Sequence, residues 1–425
     1  MFNHTENNYK KECFCPYVLT FLVLFLFCCT KKDEVRIPDN PSTDVDNTIS
    51  DDDNADSLVV ENPILVDSVV LNRLSIGLLQ GDTYKLQISI DYEGLTPPEV
   101  TWTTTDAAVA SVDADGVISA LKAGSTTITA AAGDKQAQCA VTVVANGESV
   151  YRHGYSELNA DDKAIYNYML RQILAFESNA ATYSDISHRI YLDFASQGMT
   201  VDQNKVMRLT NLIIKDVPEV YMLVNYIWRY DNDKNQYYLR AKSSCTPESY
   251  AAEMTQINAA CDAICNSVTA SMSEFEKAKI IHDGFIAWAD YGGVSNANSG
   301  DITGSFITKR AVCEGFARAY LLLCQRVNLK CVYVVGSLRT KTEPETWGNH
   351  AWNLTQADGV WYLVDITGDG SFPNQCGWNY FLRGSDWFSA SYKYESTGGG
   401  NENIGAVAYI TLPVVSASDY VWERP

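Results

Sequence analysis

The hydrophobic period of this chain switches at Asn146-Gly147, and that switch constrains its architecture more than any other feature. From about Ile64 to Val144, apolar residues alternate with period two in short runs separated by turn residues. The expected strands are Val69-Val70-Leu71, Tyr84 to Ile90, Val100 to Thr104, Val117 to Ala120, Thr126 to Ala130 and Ala140 to Val144. Gly81-Asp82, Asp115-Gly116 and Ala123-Gly124 supply the positive-φ positions that tight turns need. Six or seven short strands in this segment describe a small two-sheet sandwich over residues 64–145.

Beyond Gly147 the period becomes helical. Asn159-Ala160-Asp161-Asp162 places acids at a helix start, with Ile165, Met169, Ile173 and Phe176 following on one face. Thr200-Val201-Asp202-Gln203 reads as a capping box ahead of Val206, Leu209 and Ile213, and Pro218 ends that helix. Val220 to Tyr230 and Gln236 to Ala241 read as a hairpin across Asp231 to Asn235. Thr246-Pro247 and Ser273-Glu274-Phe275-Glu276 open two further helices. The expected fold class is therefore multidomain, an all-β sandwich followed by an α+β domain over 150–425. That domain divides into a helical prelude (150–270) and a core (271–390).

The N-terminus reads as an address. Tyr17 to Phe27 is an apolar block of eleven residues behind Lys10 and Lys11, suited to a signal peptide and too short to span a bilayer. Its end, Leu26-Phe27-Cys28-Cys29, resembles a bacterial lipobox, from which Phe27 departs. The resemblance implies a membrane anchor through a lipid on Cys29, or on Cys28, and makes 1–28 the signal peptide. Lys32-Asp33-Glu34 resembles the export signal of surface lipoproteins in the Bacteroidota, which implies an outer-membrane, cell-surface location. An ordinary cleaved signal followed by a charged linker is the other reading, and both export the protein. Thr30 to Pro63 holds ten acids against three bases, so residues 29–63 are expected to form an acidic, disordered tether. The tether carries −7 of the formal charge of −20, leaving −13 on the rest. A chain of that sign with no basic stripe is not built to bind nucleic acid.

The chemistry concentrates in the core. Val312-Cys313-Glu314-Gly315-Phe316-Ala317 opens a helix expected to run to about Val327. A thiol at a helix N-terminus faces unsatisfied N–H groups and the positive end of the macrodipole, which favours thiolate. Gly315 allows another segment to approach the helix closely, and Cys324 falls among leucines as a core residue. Downstream, Asn349 to Leu354 and Val360 to Asp365 alternate as strands joined by Asp358-Gly359, a two-residue hairpin turn. In that register 356 pairs with 361, 354 with 363 and 352 with 365. His350 and Asp365 then become diagonal neighbours on one face, with Trp352, Leu354, Trp361 and Leu363 as face-mates. A three-residue loop would separate them. An imidazole oriented by a carboxylate, with a helix-terminal thiol elsewhere in the chain, is the constellation of a cysteine nucleophile.

Two families resemble these segments. Trp102-Thr103-Thr104-Thr105-Asp106, Val109 to Asp113 and Gly116 to Gly124 resemble the group 2 bacterial immunoglobulin-like domain, which implies a spacer or an adhesive module. Val312 to Ala317, His350-Ala351-Trp352-Asn353 and Trp361 to Thr367 resemble the transglutaminase-like superfamily, with its papain-like Cys–His–Asp arrangement. Asp216 to Tyr221 and Lys279 to Asp283 extend that match. Carried over by position, the resemblance implies Cys313 as nucleophile, His350 as general base and acid, and Asp365 as its orienting partner. Two departures are Gly368-Asp369-Gly370, where the family often has Trp and a further acid, and the polar loop Arg339 to Gly348, expected to shape the substrate groove.

The expected reaction is acyl transfer through a thioester on a protein or peptide substrate, released by water (a peptidase or deamidase) or by an amine (a cross-linker). Cys313's own N–H is the expected first oxyanion donor, with Tyr291 and Trp347 as candidates for a second. A surface binding or adhesion protein that keeps the fold without turnover is the alternative. No cofactor is implied, and no zinc motif, phosphate-binding loop or dinucleotide fingerprint occurs. His282 beside Asp283 reads as structural, His153 and His188 have no chemical neighbours in sequence, and Asp365 with Asp369 lacks the other oxygen ligands of a calcium loop. Cys261 and Cys265, four apart on a helix, read as buried apolar thiols.

Overall fold

A computed structural model describes residues 65–177, 187–223, 228–242, 244–292, 299–339, 346–370, 377–394 and 411–423. Residues 61–425 make one compact unit. The signal, lipobox and tether readings precede it and lie outside the described residues, as do Cys376, the His188 side chain and residues 340–345 of the polar loop.

The first module contains β1 (Leu65–Leu71), β2 (Ser75–Leu79), β3 (Thr83–Lys85), β4 (Ile88–Glu93), β5 (Thr101–Thr104), β6 (Ala110–Val112), β7 (Val117–Ala120), β8 (Gly124–Ala132) and β9 (Lys135–Val144). They form sheets in the orders β2-β9-β8-β5, β3-β7-β6 and β1-β4 around a core that includes Ile118, Ile128, Cys139 and Val141. The strand expected from Tyr84 to Ile90 is instead two strands in different sheets. Leu86 turns into the core and the Gln87 N–H leaves the ladder for the Asn72 side chain, 2.8 Å away. Strand β2 escaped the periodic pattern because all five of its residues are buried, which erases alternation.

The rest of the unit begins with α1 (His153–Ser156), α2 (Ala160–Leu174), β10 (Ser187–Leu192), α3 (Gln203–Asp216), β11 (Arg229–Asp231), β12 (Gln236–Lys242) and α4 (Pro247–Cys265). It continues through α5 (Glu274–Trp288), β13 (Asp290–Tyr291), α6 (Ile302–Phe306), β14 (Arg310–Ala311) and α7 (Cys313–Arg326). The last elements are β15 (Cys331–Arg339), β16 (Trp347–Ala357), β17 (Val360–Val364), α8 (Ile366–Gly370), α9 (Ser385–Phe388) and β18 (Tyr392–Tyr394). Asn159 caps α2, and the boxes at Thr246 and Ser273 both close. The α3 cap is Asp202 rather than Thr200; its carboxylate, a stronger acceptor two residues closer to the first apolar residue, accepts the Lys205 N–H at 2.7 Å. Val220 lies in a 3-10 turn behind Pro218; β11 and β12 form the expected hairpin, and β12 pairs on its other side with β10, a strand the sequence pattern did not indicate.

Helix α7 is buried from Gly315 to Gln325 and packs on the sheet ordered β17-β16-β15-β18. The two faces of that sheet serve different cores. Tyr333, Ala351 and Val364 belong to the main core with α7, whereas Val334, Trp352, Leu354 and Leu363 form a smaller cluster with Phe388 and Tyr392. Asn353 donates to the Ala317 carbonyl at 3.0 Å, tying β16 to α7.

The β-module is packed onto the helices. Leu79 and Val144 join the main core beside Ile173 and Leu174. Arg171 Nε donates to Asp82 at 2.7 Å, Asn258 to Ser125 at 2.8 Å, and Arg326 at the end of α7 to the Ala123 carbonyl at 3.2 Å. Gly77 lies so close to α2 that a Cβ would come within 2.5 Å of the Leu174 carbonyl. Gly77→Val is therefore expected to lower the stability of the whole unit by about 1–3 kcal/mol. Calorimetry should show a single transition for 61–425, moved down in the variant; a variant that melts like the parent would mean this contact contributes nothing.

Candidate active site

Cys313 is the first residue of α7, half-buried, and Val312 before it offers no side-chain cap. The open N-terminal N–H groups of the helix therefore remain directed past the thiol. Gly315 lets the preceding chain lie against this turn, since a Cβ there would meet the Ser299 carbonyl at 2.6 Å.

The hairpin that carries the other two groups has the register expected from its turn. Ala357 pairs with Val360, Gln356 with Trp361 and Leu354 with Leu363, and Asp358 and Gly359 take φ of 50° and 82°. Strand β17 stops at Val364, so Asp365 lies one residue past it, fixed by its N–H to the Tyr380 carbonyl at 3.0 Å. His350 Nε2 meets Asp365 Oδ2 at 2.7 Å, with 9% and 1% of the two side chains exposed. The imidazole stacks near Trp352, 5.9 Å between centroids. With Nε2 bound to Asp365, Nδ1 is the other ring nitrogen, and Cys313 stands in the same cavity wall as His350, close enough to raise the pKa of the imidazole. Burial pulls the His350 pKa down, but the hydrogen bonds to Asp365 and Cys313 outweigh it and raise the value to about 10.

A cavity of about 240 Å³ opens beside the thiol, walled by Asn211, Ile214 and Lys215 of α3, Cys313, Glu314 and Arg318 of α7, Tyr333 and Val335 of β15, and Asn349, His350 and Ala351 of β16. Within that wall Glu314 accepts from Arg318 at 3.0 Å, and Arg318 also donates to the Ile214 carbonyl at 2.8 Å and lies over the Tyr333 ring. The contribution of α3 had no signal in the sequence, where the helix lies about 100 residues before Cys313. Of the two proposed oxyanion donors, Tyr291 is close enough that Cys313 and Asp365, after burial, raise the pKa of its phenol. Trp347 is not part of the cavity wall and lies under the Lys393 ammonium, 3.7 Å from its ring centroid.

The remaining histidines and cysteines are placed elsewhere. His282 is fully buried in α5, its Nδ1 3.0 Å from Asp283 and its Nε2 3.1 Å from Asp369. Asp369, in the segment that departs from the family pattern, is thus the partner of a core imidazole and also accepts the Asn379 N–H at 2.8 Å. His153 pairs with the Tyr151 hydroxyl and the Thr411 carbonyl, both at 2.6 Å. Cys261 and Cys324 are buried, Cys265 is partly so, and all three are free thiols. Among the described residues no group of histidines, cysteines and acids has the arrangement of a metal site, and no helix is long and apolar enough to cross a membrane.

Comparison with known proteins gives the same order of modules. Residues 65–143 match the family model of the group 2 bacterial Ig-like domain, and residues 262–366 match that of the transglutaminase-like superfamily. The chain thus carries an N-terminal β-sandwich region followed by a mixed α/β transglutaminase-like domain. No curated protein matches the chain. Among solved structures, a TGase aligns at 15% identity over 69% of this chain and 78% of its own, with a TM-score of 0.26. A candidate cysteine protease from Cytophaga hutchinsonii aligns at 18% identity over 25% of this chain and 35% of its own, with a TM-score of 0.21. Domains 4 and 5 of the S-layer protein SbsC align at 19% identity over 19% of this chain, with a TM-score of 0.18, and the chain spans 53% of that structure.

Proposed function

We propose that Cys313, His350 and Asp365 form a thiol acyl-transfer site acting on amide bonds of a protein or peptide. The observation that carries this reading is the buried His350–Asp365 pair beside a helix-terminal thiol on the wall of one cavity. The match to the transglutaminase-like superfamily over 262–366 supports it.

In this mechanism the Cys313 sulfur attacks the substrate carbonyl while its proton resides on His350, and the new C–S bond places negative charge on the carbonyl oxygen. The Cys313 N–H, in the first turn of α7, donates to that oxygen, with Tyr291 as the nearby second candidate. The intermediate collapses as the C–N bond breaks and His350 returns its proton to the departing amine, leaving a thioester. Water, or a second amine, then attacks the thioester with His350 again taking the proton, and the thiol is regenerated. Asp365 keeps the imidazole in one orientation throughout. No cofactor is needed for these steps.

The lipobox-like Leu26 to Cys29, with the acidic segment after it, supports an exported protein anchored by lipid at Cys29 or Cys28 and displayed on the outer surface. The immunoglobulin-like module would then form part of the displayed body.

The test is an assay of the purified chain for ammonia release from glutamine peptides, amine incorporation into a protein and peptide hydrolysis, against Cys313→Ala. Activity in one of these should fall by about 10³-fold or more in the variant. Unchanged turnover in Cys313→Ala would overturn the reading. A reactive Cys313 with no turnover on any amide would favour a binding protein that retains the fold.

A further inference from the structure

The carboxylate of Asp365 has a second side-chain donor. Its Oδ2, which holds His350 Nε2 at 2.7 Å, also accepts the Tyr392 hydroxyl at 2.7 Å, while Oδ1 takes the Gly368 N–H at 3.3 Å. Tyr392 opens β18, which pairs with β15 through Leu338, so it reaches the site from the far edge of the sheet. It is 4% exposed and wedged edge-on against Trp352 and Phe388, at centroid distances of 5.2 and 6.0 Å.

We propose that Tyr392 is a positioning residue: by donating to the oxygen that grips His350, its hydroxyl fixes the plane of the Asp365 carboxylate and moderates its pull on the imidazole. This rests on reading Cys313, His350 and Asp365 as the reacting unit. A carboxylate with one oxygen bound only to the imidazole can swing about its Cα–Cβ–Cγ torsions and carry the ring with it. With both donors on Oδ2 and the helix N–H on Oδ1, three directions are set. The hydroxyl also shares the anionic charge, so less of it acts on the imidazolium. Burial, followed by the Asp365 charge, raises the pKa of Tyr392 far above the usual phenol range, so it stays a neutral donor at every working pH. The other titratable groups that face this cluster are Cys313 from α7, Tyr291 from β13, Asp369 from α8 and Tyr380.

Tyr392→Phe keeps the ring and removes one hydrogen bond. In the intact chain with ¹³C-labelled histidine, the His350 ring should titrate higher than in the parent by about half a unit or more, because Asp365 regains undivided charge. The kcat should fall about tenfold with KM unchanged, because an imidazole that is held less firmly and binds its proton more tightly returns it to the departing amine less readily. In an Asp365→Asn background the same substitution should change neither. A His350 titration that stays put or moves down, or an equal loss of rate in the Asp365→Asn background, overturns the positioning role. The titration needs no turnover, so it separates this inference from the acyl-transfer reading, which Cys313→Ala tests alone. Should Tyr392→Phe unfold, Asp365→Leu in a chain with ¹³C-labelled tyrosine decides, because leucine, unlike asparagine, leaves no oxygen to accept the Tyr392 hydroxyl. The Tyr392 ring resonance must then shift, and an unmoved resonance overturns the proposal.

Discussion

Replacing His282 by alanine should cost the folded unit about 3–5 kcal/mol, the range for breaking a buried ionic pair on one side only. His282 is 0% exposed, and each ring nitrogen meets a carboxylate, Asp283 on one side and Asp369 on the other. Burial works against the imidazolium, but the hydrogen bonds to Asp283 and Asp369 prevail and its pKa rises. Asp283 is held down at about 2: burial opposes this, and His282, Lys279 and Trp378 together overcome it. Alanine would leave Asp369, with 1% of its side chain exposed, without its cation. Urea denaturation of His282→Ala against the parent measures the loss, and a difference below about 1 kcal/mol would mean the pair has no net weight. Because Asp369 also accepts the Tyr380 N–H at 3.1 Å and the Tyr380 carbonyl takes the Asp365 N–H, some of the loss should reach the candidate site.

The second large effect is on reactivity. His350→Ala should slow alkylation of Cys313 by iodoacetamide at neutral pH by on the order of tenfold or more, since the sulfur loses the imidazole that would take its proton. Mass spectrometry resolves this site from the buried thiols Cys261 and Cys324, and equal rates in the two proteins would mean that no ion pair forms. The same pair has a stability signature. The folded pKa of His350, about 10, lies above its ordinary 6.5, so the folded state binds the proton more tightly than the unfolded chain. Its contribution is full below pH 6.5 and is lost as pH rises through 10. The denaturation midpoint of the parent should therefore fall between those limits more steeply than that of His350→Gln, and parallel pH profiles would contradict the raised value.

Much of the site could be read along the chain because its signals are local. Asp358-Gly359 favours a two-residue hairpin turn, and the turn sets which residues of β16 and β17 face one another. Helix α7 announces its start through the change of pattern at Val312, which places Cys313 at the N-terminus. The strand at Ser75 to Leu79 was lost for the opposite reason, since burial on every side removes the alternation that marks a strand. The single strand expected at Tyr84 to Ile90 failed because one hydrogen bond, from Gln87 to Asn72, diverts the backbone between sheets.

By itself, then, the sequence determined the sandwich before Gly147, the helix that begins at Cys313 and the hairpin that brings His350 to Asp365. Each follows from the φ,ψ preferences and side-chain period of a few adjacent residues. Tertiary structure alone decided that His282 meets Asp369 across 87 residues, that Tyr392 reaches Asp365 across 27, and that Leu79 of the first module enters the core of the second. Those contacts arise from how sheets and helices stack to exclude water. Nothing within one residue's immediate neighbours records which distant surface will cover it.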